Sequence, residues 1–363
     1  MPQWDASETK FKMAPFFKNK EGICDFYNIN DNYFDHAAGM LDVAVKKGFI
    51  PALVILWCDY VKDTWASKIH GDHIMPIDSV KPYVEYVLNK FAAYNPIYII
   101  SGDTDFGSDD TKNYYKVAFD TIKSLSPQTL TTMHLTGGLA DIPQELDDNI
   151  DFYMYQSGHK IEEQYFSYSL ASNFYDKHPK KPIINSEPCY EGHSYGFQYG
   201  RFNEFDIRKA IWQSLLSGAK AGITYGAHGI WSWHKRGREF INAEFAGEPF
   251  DWKVALKLAG AWEASFAKWL FDVYNLFDIE PAPYIINQSS EIRMAASKKR
   301  NKVLIYIPYN IEVKISIDLS ELTFVMINLN QKYFAKPKVL VKNGLSIIKM
   351  HDFNSDVLVI GLR

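Results

Sequence analysis

Two acidic residues directly follow apolar runs in the sequence. In "PIYIISGD" the run ends just before Asp103, and in "KKPIINSEPCYEG" it ends at Glu187, with a second carboxylate at Glu191. A pair of carboxyl groups can hydrolyse a glycosidic bond, because one protonates the leaving oxygen while the other attacks the anomeric carbon or activates water. Such a pair needs two different environments, since the acid must stay protonated and its partner ionised. We therefore take Asp103 and Glu187 as candidate catalytic residues, against the alternative that both are solvated strand ends.

Further polar and aromatic residues lie at or just after other apolar runs. Imidazole and amide groups suit hydrogen bonds to sugar hydroxyls, and a tryptophan ring offers a flat apolar face for stacking. Each has a structural alternative in core packing, and we expect one tryptophan of the last pair to face a helix. The candidate substrate-binding residues are Trp57, Asp59, Asp105, His134, Gln156, Glu191, His228, Trp231 and Trp233.

An alternation of apolar strands and amphipathic helices runs from about residue 31 to 235. The predicted helices cover approximately residues 31–48, 78–94, 112–124, 162–175 and 205–219. The predicted strands are "FIPALVILW", "PIYIIS", "TLTTMHL", "DFYMYQ", "PIINSE" and "GITYGAHGIWSW". Strands that are apolar throughout and separated by helices predict a parallel sheet that is covered on both faces.

A doubly wound sheet and a barrel both fit this α/β pattern. No glycine-rich phosphate loop follows any strand, which disfavours a nucleotide-binding doubly wound fold. In a (β/α)8 TIM-type barrel the carboxyl ends of all strands meet at one face, where active sites lie. We predict such a barrel without its first one to two strands. If the last predicted strand is the eighth, Asp103 follows the fourth and Glu187 ends the seventh.

The sequence pattern changes after about residue 275. A long helix is predicted in "DWKVALKLAGAWEASFAKWLF", followed by a linker, "FDIEPAPY". The runs "KVLIYIPY", "EVKISIDL", "LTFVMINL", "PKVLVKN" and "DVLVIGLR" are short, alternating and β-branched. They predict a small antiparallel β-sandwich. The predicted domains are therefore a barrel over residues 1–274 and a sandwich over residues 275–363.

Charge and cysteine usage exclude several classes of function. The net charge of −4 is spread along the chain, so we expect no nucleic-acid face and no basic membrane-binding segment. Three cysteines without metal spacing favour neither a disulfide framework nor a zinc site. No apolar run approaches the ~20 residues of a membrane span. The first ten residues lack a signal-peptide core, and the sequence assigns neither a compartment nor an oligomeric state.

Metal and cofactor motifs are equally weak. "SGDTDFGSDD" resembles the start of a calcium loop, but Gly107 and Tyr114 stand at its fifth and twelfth positions, where oxygen ligands are needed. For His70, Asp72 and His73 we favour a solvated or substrate-facing loop over a metal site. We therefore expect no metal and no cofactor.

Four stretches together resemble the apiosidase-like glycoside hydrolases. They are "YFDHAAGMLDVAVKKGFIPALVILWCDYV", "IISGDTDFG", "INSEPCYEG" and "IWQSLLSGAKAGITYGAHGIWSW". Members of that family are barrel enzymes with a C-terminal β-sandwich to which collagen binding is attributed. The resemblance covers nearly the whole chain. It implies an exo-acting glycosidase, since the best-known members remove apiose from the pectin rhamnogalacturonan II.

The resemblance also implies individual roles. It makes Asp103 the acid/base and Glu187 the nucleophile. Family members begin with another strand and helix, whereas "MPQWDA" resembles the end of their second strand.

Two functions follow from these residues. The first is a retaining glycosidase whose substrate is a plant cell-wall oligosaccharide of the pectic type. The alternative is a catalytically inactive carbohydrate-binding or scaffold protein with an incomplete barrel, while an oxidoreductase or isomerase lacks any cofactor motif here. The carboxyl separation distinguishes the mechanisms, because a retaining pair lies about 5–5.5 Å apart and an inverting pair about 6.5–9.5 Å.

Overall fold

A computed structural model describes residues 13–69 and 73–363. The predicted strand end "MPQWDA" and the loop residues His70 and Asp72 lie outside these ranges. The chain divides into two compact units, Met1–Met154 and Tyr155–Arg363, which are described separately below. The predicted domain boundary near residue 275 is a different division and stays a prediction. Among the described residues, no helix is both long enough and apolar enough to cross a membrane.

The first unit contains a hairpin followed by alternating helices and parallel strands. The order is β1 (Phe16–Lys18), β2 (Cys24–Ile29), α1 (Asp31–Lys46), β3 (Ala52–Trp57), a 3-10 turn (Cys58–Tyr60), α2 (Ile77–Phe91), a second 3-10 turn (Ala92–Tyr94), β4 (Ile97–Gly102), α3 (Asp109–Leu125), β5 (Thr131–Thr132) and α4 (Gln144–Asp147). Strands β3, β4 and β5 form a parallel sheet in that order. The predicted helices and strands of this unit are confirmed, although β5 has only two residues.

Buried apolar residues fix the elements that precede Asp103. Residues Tyr98 to Ile100 of β4 are all buried, as expected for the central strand of a covered parallel sheet. Helix α3 buries Tyr115, Ala118 and Ile122 at helical spacing. Its first turn is capped by Ser108, whose side chain accepts a hydrogen bond from the amide of Thr111 at 3.2 Å. The chain between β4 and α3 is thus held at both ends.

The second unit continues the α/β pattern. The order is β6 (Tyr153–Gln156, which begins just before the division), a 3-10 turn (Ile161–Glu163), α5 (Phe166–Asp176), β7 (Ile183–Glu187), β8 (Ser194–Tyr195), β9 (Gln198–Arg201), α6 (Glu204–Leu215), β10 (Gly222–Ile223), α7 (Ala243–Ala246), α8 (Trp252–Ala255) and α9 (Gly260–Tyr274). A three-stranded sheet has the order β10-β7-β6, and β10 is parallel to β7. Within the described residues the α/β part therefore contains two three-stranded sheets and two antiparallel two-stranded sheets, β1-β2 and β8-β9, and a closed barrel stays a prediction.

Two predicted elements of this unit are wrong in extent. In "GITYGAHGIWSW" only Gly222–Ile223 is a strand; Ala227 forms an isolated parallel bridge with Glu191, and turns begin at His228. The long helix predicted over residues 251–271 is instead two helices, α8 and α9. Helix α9 begins at Gly260 because that amide donates a hydrogen bond to a carboxylate, Oε2 of Glu191, at 2.7 Å. A β-carbon on Gly260 would lie only 2.6 Å from the same oxygen, so a close approach fixes this start.

The C-terminal part consists of antiparallel strands. They are β11 (Ile279–Pro281), β12 (Arg293–Ser297), β13 (Lys302–Ile307), β14 (Val313–Ile315), β15 (Thr323–Asn328), β16 (Tyr333–Ala335), β17 (Val339–Lys342), β18 (Leu345–Ile348) and β19 (Val357–Leu362). One sheet has the order β11-β12-β13-β19-β15-β16 and another β14-β18-β17. Buried residues of both sheets share one hydrophobic core. The predicted linker "FDIEPAPY" is not a free connection, because its Ile279–Pro281 pairs with β12.

A buried ion pair ties helix α6 to the start of β19. The guanidinium of Arg208 donates to both carboxylate oxygens of Asp356, with the shortest contact, from Nη2 to Oδ1, at 2.8 Å. The side chain of Arg208 is 3% exposed and that of Asp356 is fully buried. Tyr306 also donates to Asp356, at 3.2 Å. Apolar residues of α6, α9 and the six-stranded sheet form one core beside this pair.

We expect Asp356→Asn to lower the free energy of unfolding by about 1.5–3 kcal/mol, because the buried Arg208 charge loses its closest, bidentate counter-ion and is left with the more distant Glu263 and Glu204, at 3.5 and 3.8 Å. Urea unfolding measures this change. The control is Asp272→Asn, which breaks an exposed pair with Lys268 on α9 and should change stability by less than about 1 kcal/mol. Equal effects of the two substitutions would contradict the assignment.

Candidate active site

Glu187 is the last residue of β7, and its side chain is only 17% exposed. Its Oε1 lies 3.0 Å from Nε2 of His159, a side chain that is 10% exposed. The loop after β6 brings this histidine there, since the amides of Ser157 and Gly158 both donate to the Glu187 carbonyl oxygen, at 3.0 and 3.1 Å. His159 was not among the residues predicted from the sequence. Its only sequence signal is its position three residues after the end of a strand.

Five aromatic side chains form a closed ring of neighbours beside Glu187. The ring centroid of His159 lies 4.4 Å from that of Tyr190 and 4.6 Å from that of His193. His193 is 5.1 Å from His228, which is 5.8 Å from Trp231, and Trp231 is 6.4 Å from Tyr190. We call this set the aromatic ring cluster. The cluster brings His228 and Trp231, both predicted from the sequence, together with His159, Tyr190 and His193, which were not predicted.

Two histidines of the cluster are held neutral in defined tautomers. Nδ1 of His193 donates to the Ser194 carbonyl oxygen at 2.7 Å, and burial, followed by the neighbouring His159, lowers the pKa of His193 to about 2. Nε2 of His228 donates to the Gly247 carbonyl oxygen at 2.9 Å, and burial lowers the pKa of His228 to about 4. Because a carbonyl oxygen can only accept, each contact places the proton on the stated nitrogen. Both rings therefore remain uncharged at neutral pH.

Several buried polar atoms around Glu187 have no hydrogen-bond partner among the residues that the structure describes. They include the acceptor Oε1 of Gln156, at the end of β6, Nδ1 of His159 and of His228, and the donor Nε1 of Trp231. Buried polar groups in proteins are nearly always paired, so a cluster of unpaired ones needs an explanation. Ligand hydroxyl groups, which both donate and accept, would satisfy all of these atoms.

Glu191 has a different environment from Glu187. It is 6% exposed, and its Oε2 accepts from the hydroxyl of Tyr225 at 2.6 Å as well as from the Gly260 amide. Its backbone also bonds to the segment after β10, through Gly226 and His228. This placement gives Glu191 a structural role, joining the loop after β7 to the first turn of α9. Its predicted contact with substrate stays a prediction.

We expect Tyr225→Phe to lower the free energy of unfolding by about 1–3 kcal/mol, because a buried carboxylate loses a hydrogen-bond donor. If Glu191 serves the fold, the KM of the enzyme should stay within about twofold of the wild type. Thermal unfolding and steady-state kinetics measure the two effects. A raised KM with unchanged stability would instead assign the Tyr225–Glu191 pair to the substrate.

The two predicted tryptophans after β10 differ in their surroundings. Trp231 belongs to the aromatic ring cluster, whereas Trp233 stacks on Trp252, the first residue of α8, with centroids 4.9 Å apart and an interplanar angle of 11°. Trp233 is 49% exposed and adopts a left-handed backbone conformation, with φ of 51°. As expected from the sequence, one member of the pair faces a helix.

In the first unit Asp103 directly follows β4 and also has a left-handed backbone, with φ of 53°. Its amide donates to Nδ1 of His134 at 3.1 Å, and its carbonyl oxygen accepts from Nε1 of Trp65 at 2.8 Å. Oδ1 of Asp105 accepts from the Trp65 amide at 2.8 Å. Non-glycine residues in this conformation are strained by about 1–3 kcal/mol and occur preferentially at functional sites. Asp105, His134 and Trp65 thus fix the backbone on which the Asp103 carboxyl is carried.

The remaining predicted residues of this unit lie at the end of β3. The Trp57 ring covers Gly102, where a β-carbon would be 2.3 Å from the ring, so only glycine fits immediately before Asp103. Nε1 of Trp57 is buried and has no hydrogen-bond partner within the described ranges. Asp59 is buried in the following 3-10 turn. Within residues 13–69 and 73–363, no cluster of three or more histidine, cysteine or acidic side chains could hold a metal ion.

Comparison with known proteins assigns the chain to a family. The family model for the apiosidase-like catalytic domain matches residues 1–278. A solved structure described as a glycoside hydrolase has a TM-score of 0.77 and 20% sequence identity, covering 95% of this chain and 82% of that one. A glycoside hydrolase family 5 protein from Bacteroides vulgatus has a TM-score of 0.76 and 20% identity, covering 95% and 79%. No curated protein matches the chain. With the family model covering more than half of its residues, this chain belongs to the apiosidase-like glycoside hydrolases and is a glycosidase.

Proposed function

We propose that this glycosidase is a retaining enzyme, with Glu187 as its nucleophile and Asp103 as its general acid/base. The hydrogen bond between His159 and Glu187 is the observation that carries the proposal. A nucleophilic carboxylate must be ionised, and a donor aimed at it favours the charged form. The neutral histidines beside it add hydrogen-bonding atoms for a sugar without adding a charge that would compete for Glu187.

The proposed reaction has two steps. Glu187 attacks the anomeric carbon while the Asp103 carboxyl group gives its proton to the leaving oxygen, which forms a glycosyl ester and releases the rest of the oligosaccharide. Asp103, now ionised, then takes a proton from water, and the resulting hydroxide attacks the anomeric carbon and frees Glu187. Both steps pass through an oxocarbenium-like transition state, and two displacements retain the anomeric configuration.

A (β/α)8 TIM-type barrel with a β-sandwich behind it belongs to the same proposal. In a barrel, the residues that end the fourth and seventh strands lie at the same face. With β10 counted as the eighth strand of such a barrel, Asp103 follows the fourth strand, β4, and Glu187 ends the seventh, β7.

For the substrate we propose pectic oligosaccharides of the plant cell wall, cleaved from one end. Membership of the apiosidase-like family supports this choice. The unpaired donor of Trp231 and the unpaired acceptors of Gln156 and His228 are suited to a polyhydroxylated, uncharged sugar ring.

A screen of monosaccharide release tests the substrate. The enzyme is incubated with panels of pectic and hemicellulosic oligosaccharides, and the products are separated by anion-exchange chromatography. We expect one monosaccharide to be released from pectic oligosaccharides, and the Glu187→Gln variant provides the blank. Release from hemicellulosic substrates alone would overturn the pectic assignment, and products longer than a monosaccharide would overturn the exo-acting one.

A further inference from the structure

We infer that His159 is a positioning residue that holds the Glu187 carboxylate ionised and oriented through its Nε2–H, and that it thereby sets the acidic limb of the pH profile. This inference rests on the proposed role of Glu187 as nucleophile. It concerns a loop residue that no sequence pattern singled out.

The loop that carries His159 is fixed from several directions. Besides the two amides that bond to the Glu187 carbonyl oxygen, the Gln164 side chain donates to the carbonyl oxygens of Gly158 and Lys160, at 3.1 and 2.9 Å. Gly158 has φ of 75°, a conformation that glycine adopts without strain, so a glycine at this position stabilises the turn before His159. A side chain on such a loop is held in one orientation, as a positioning residue requires.

Two aromatic side chains also pack against the imidazole ring of His159. The ring centroid of His159 lies 4.4 Å from that of Tyr190 and 4.6 Å from that of His193, with interplanar angles of 45° and 30°. These contacts leave the ring little freedom to turn away from Glu187. The packing of the ring therefore keeps Nε2 of His159 directed at Oε1 of Glu187.

The protonation pattern follows from the hydrogen bonds. An ionised carboxylate can only accept, so Nε2 of His159 carries a proton when it bonds to Glu187. Its Nδ1 is buried without a partner among the described residues. Nε2 therefore has the same donor role whether or not Nδ1 also carries a proton.

The groups that face His159 within this unit add little competing charge. They are Glu187 from β7, Tyr190 and His193 from the loop after it, and His228 from the segment after β10. His193 and His228 are neutral, for the reasons given above. The His159 donor is a direct contact that favours the charged form of Glu187.

Two substitutions separate positioning from simple packing. His159→Phe keeps a ring between Tyr190 and His193 but removes the donor. His159→Gln loses the ring but keeps an N–H that can reach Glu187. We expect His159→Phe to lower kcat/KM at neutral pH by roughly 10- to 100-fold, the effect of one hydrogen bond to a charged group. In the pH profile of kcat/KM, the acidic limb of His159→Phe should also move to higher pH by about one unit, whereas that of His159→Gln should stay close to the wild type.

The experiment measures kcat/KM against pH for the full chain, using the substrate that the screen identifies. His351→Gln is the matched control, because this histidine lies in the loop between β18 and β19, where its Nδ1 accepts from the Phe353 amide. An unmoved acidic limb in His159→Phe, with activity reduced equally at all pH values, would overturn the inference. So would an equal shift in His159→Gln. If His159→Phe does not fold, His159→Leu is judged by the same criteria.

These measurements distinguish a failure of the His159 inference from a failure of the proposed function. If Glu187 is not the nucleophile, Glu187→Gln stays active and the proposed function fails. If only the role of His159 is wrong, Glu187→Gln is inactive and the acidic limb of the His159→Phe pH profile does not move.

Discussion

Glu187→Gln is expected to lower kcat/KM by roughly 1,000-fold or more, while the affinity for the oligosaccharide stays within about tenfold of the wild type. The amide oxygen of glutamine is too weak a nucleophile to form the glycosyl ester. It can still accept the hydrogen bond from His159, so neither the loop after β6 nor the aromatic ring cluster loses a contact. Steady-state kinetics and isothermal titration calorimetry measure the two quantities on the same preparation.

The control for this variant is Glu163→Gln. Glu163 lies on the surface of the same unit and pairs with Lys160 at 3.0 Å, so its substitution should leave kcat/KM unchanged. Retention of more than about a tenth of the activity by Glu187→Gln would remove Glu187 from the mechanism.

Asp103→Asn is expected to slow the hydrolysis of natural oligosaccharides by roughly 100- to 10,000-fold, the usual contribution of a general acid or base. The loss should be much smaller in the first step for an aryl glycoside, whose leaving group needs no proton. Asparagine tolerates the left-handed conformation observed at this position, so the effect reports the lost proton transfer. Pre-steady-state kinetics with nitrophenyl and natural substrates separates the two steps.

Added azide provides a second readout for Asp103→Asn. Azide needs no general base, so it should restore turnover and give a glycosyl azide with retained configuration. Asp109→Asn is the control, since this exposed residue pairs with Lys112 on α3. The role of Asp103 would be contradicted by equal slowing of activated and natural substrates, together with the absence of azide rescue.

The elements that carry both acidic residues could be predicted from the sequence. Strand β4 is buried from Tyr98 onwards, as expected for the central strand of a covered parallel sheet, and the polar residues that follow mark its carboxyl end. Strand β7 begins with two isoleucines and becomes polar at Asn185, which marks its carboxyl end in the same way. Asp103 and Glu187 were found for that reason. The family resemblance, which is confirmed by the family model over residues 1–278, supplied their expected roles.

Long-range contacts account for what the sequence did not show. The partners of Glu191, Tyr225 and Gly260, lie 34 and 69 positions away along the chain, so the local sequence does not show the structural role of this carboxylate. The break between α8 and α9 falls within residues of good helix propensity and depends on the same contact. His159 lies in a loop without periodicity, and its significance comes only from the Glu187 carboxylate beside it.

Identification of the residue that becomes covalently linked to the sugar is the most direct test of the account. The enzyme is treated with a 2-deoxy-2-fluoro glycosyl fluoride of the sugar found in the screen, because fluorine slows the second displacement while fluoride leaves readily. Peptide mass spectrometry then locates the adduct. We predict a glycosyl ester on Glu187. An adduct on another residue, or product of inverted configuration by NMR without any adduct, would contradict the assignment of Glu187 as the nucleophile.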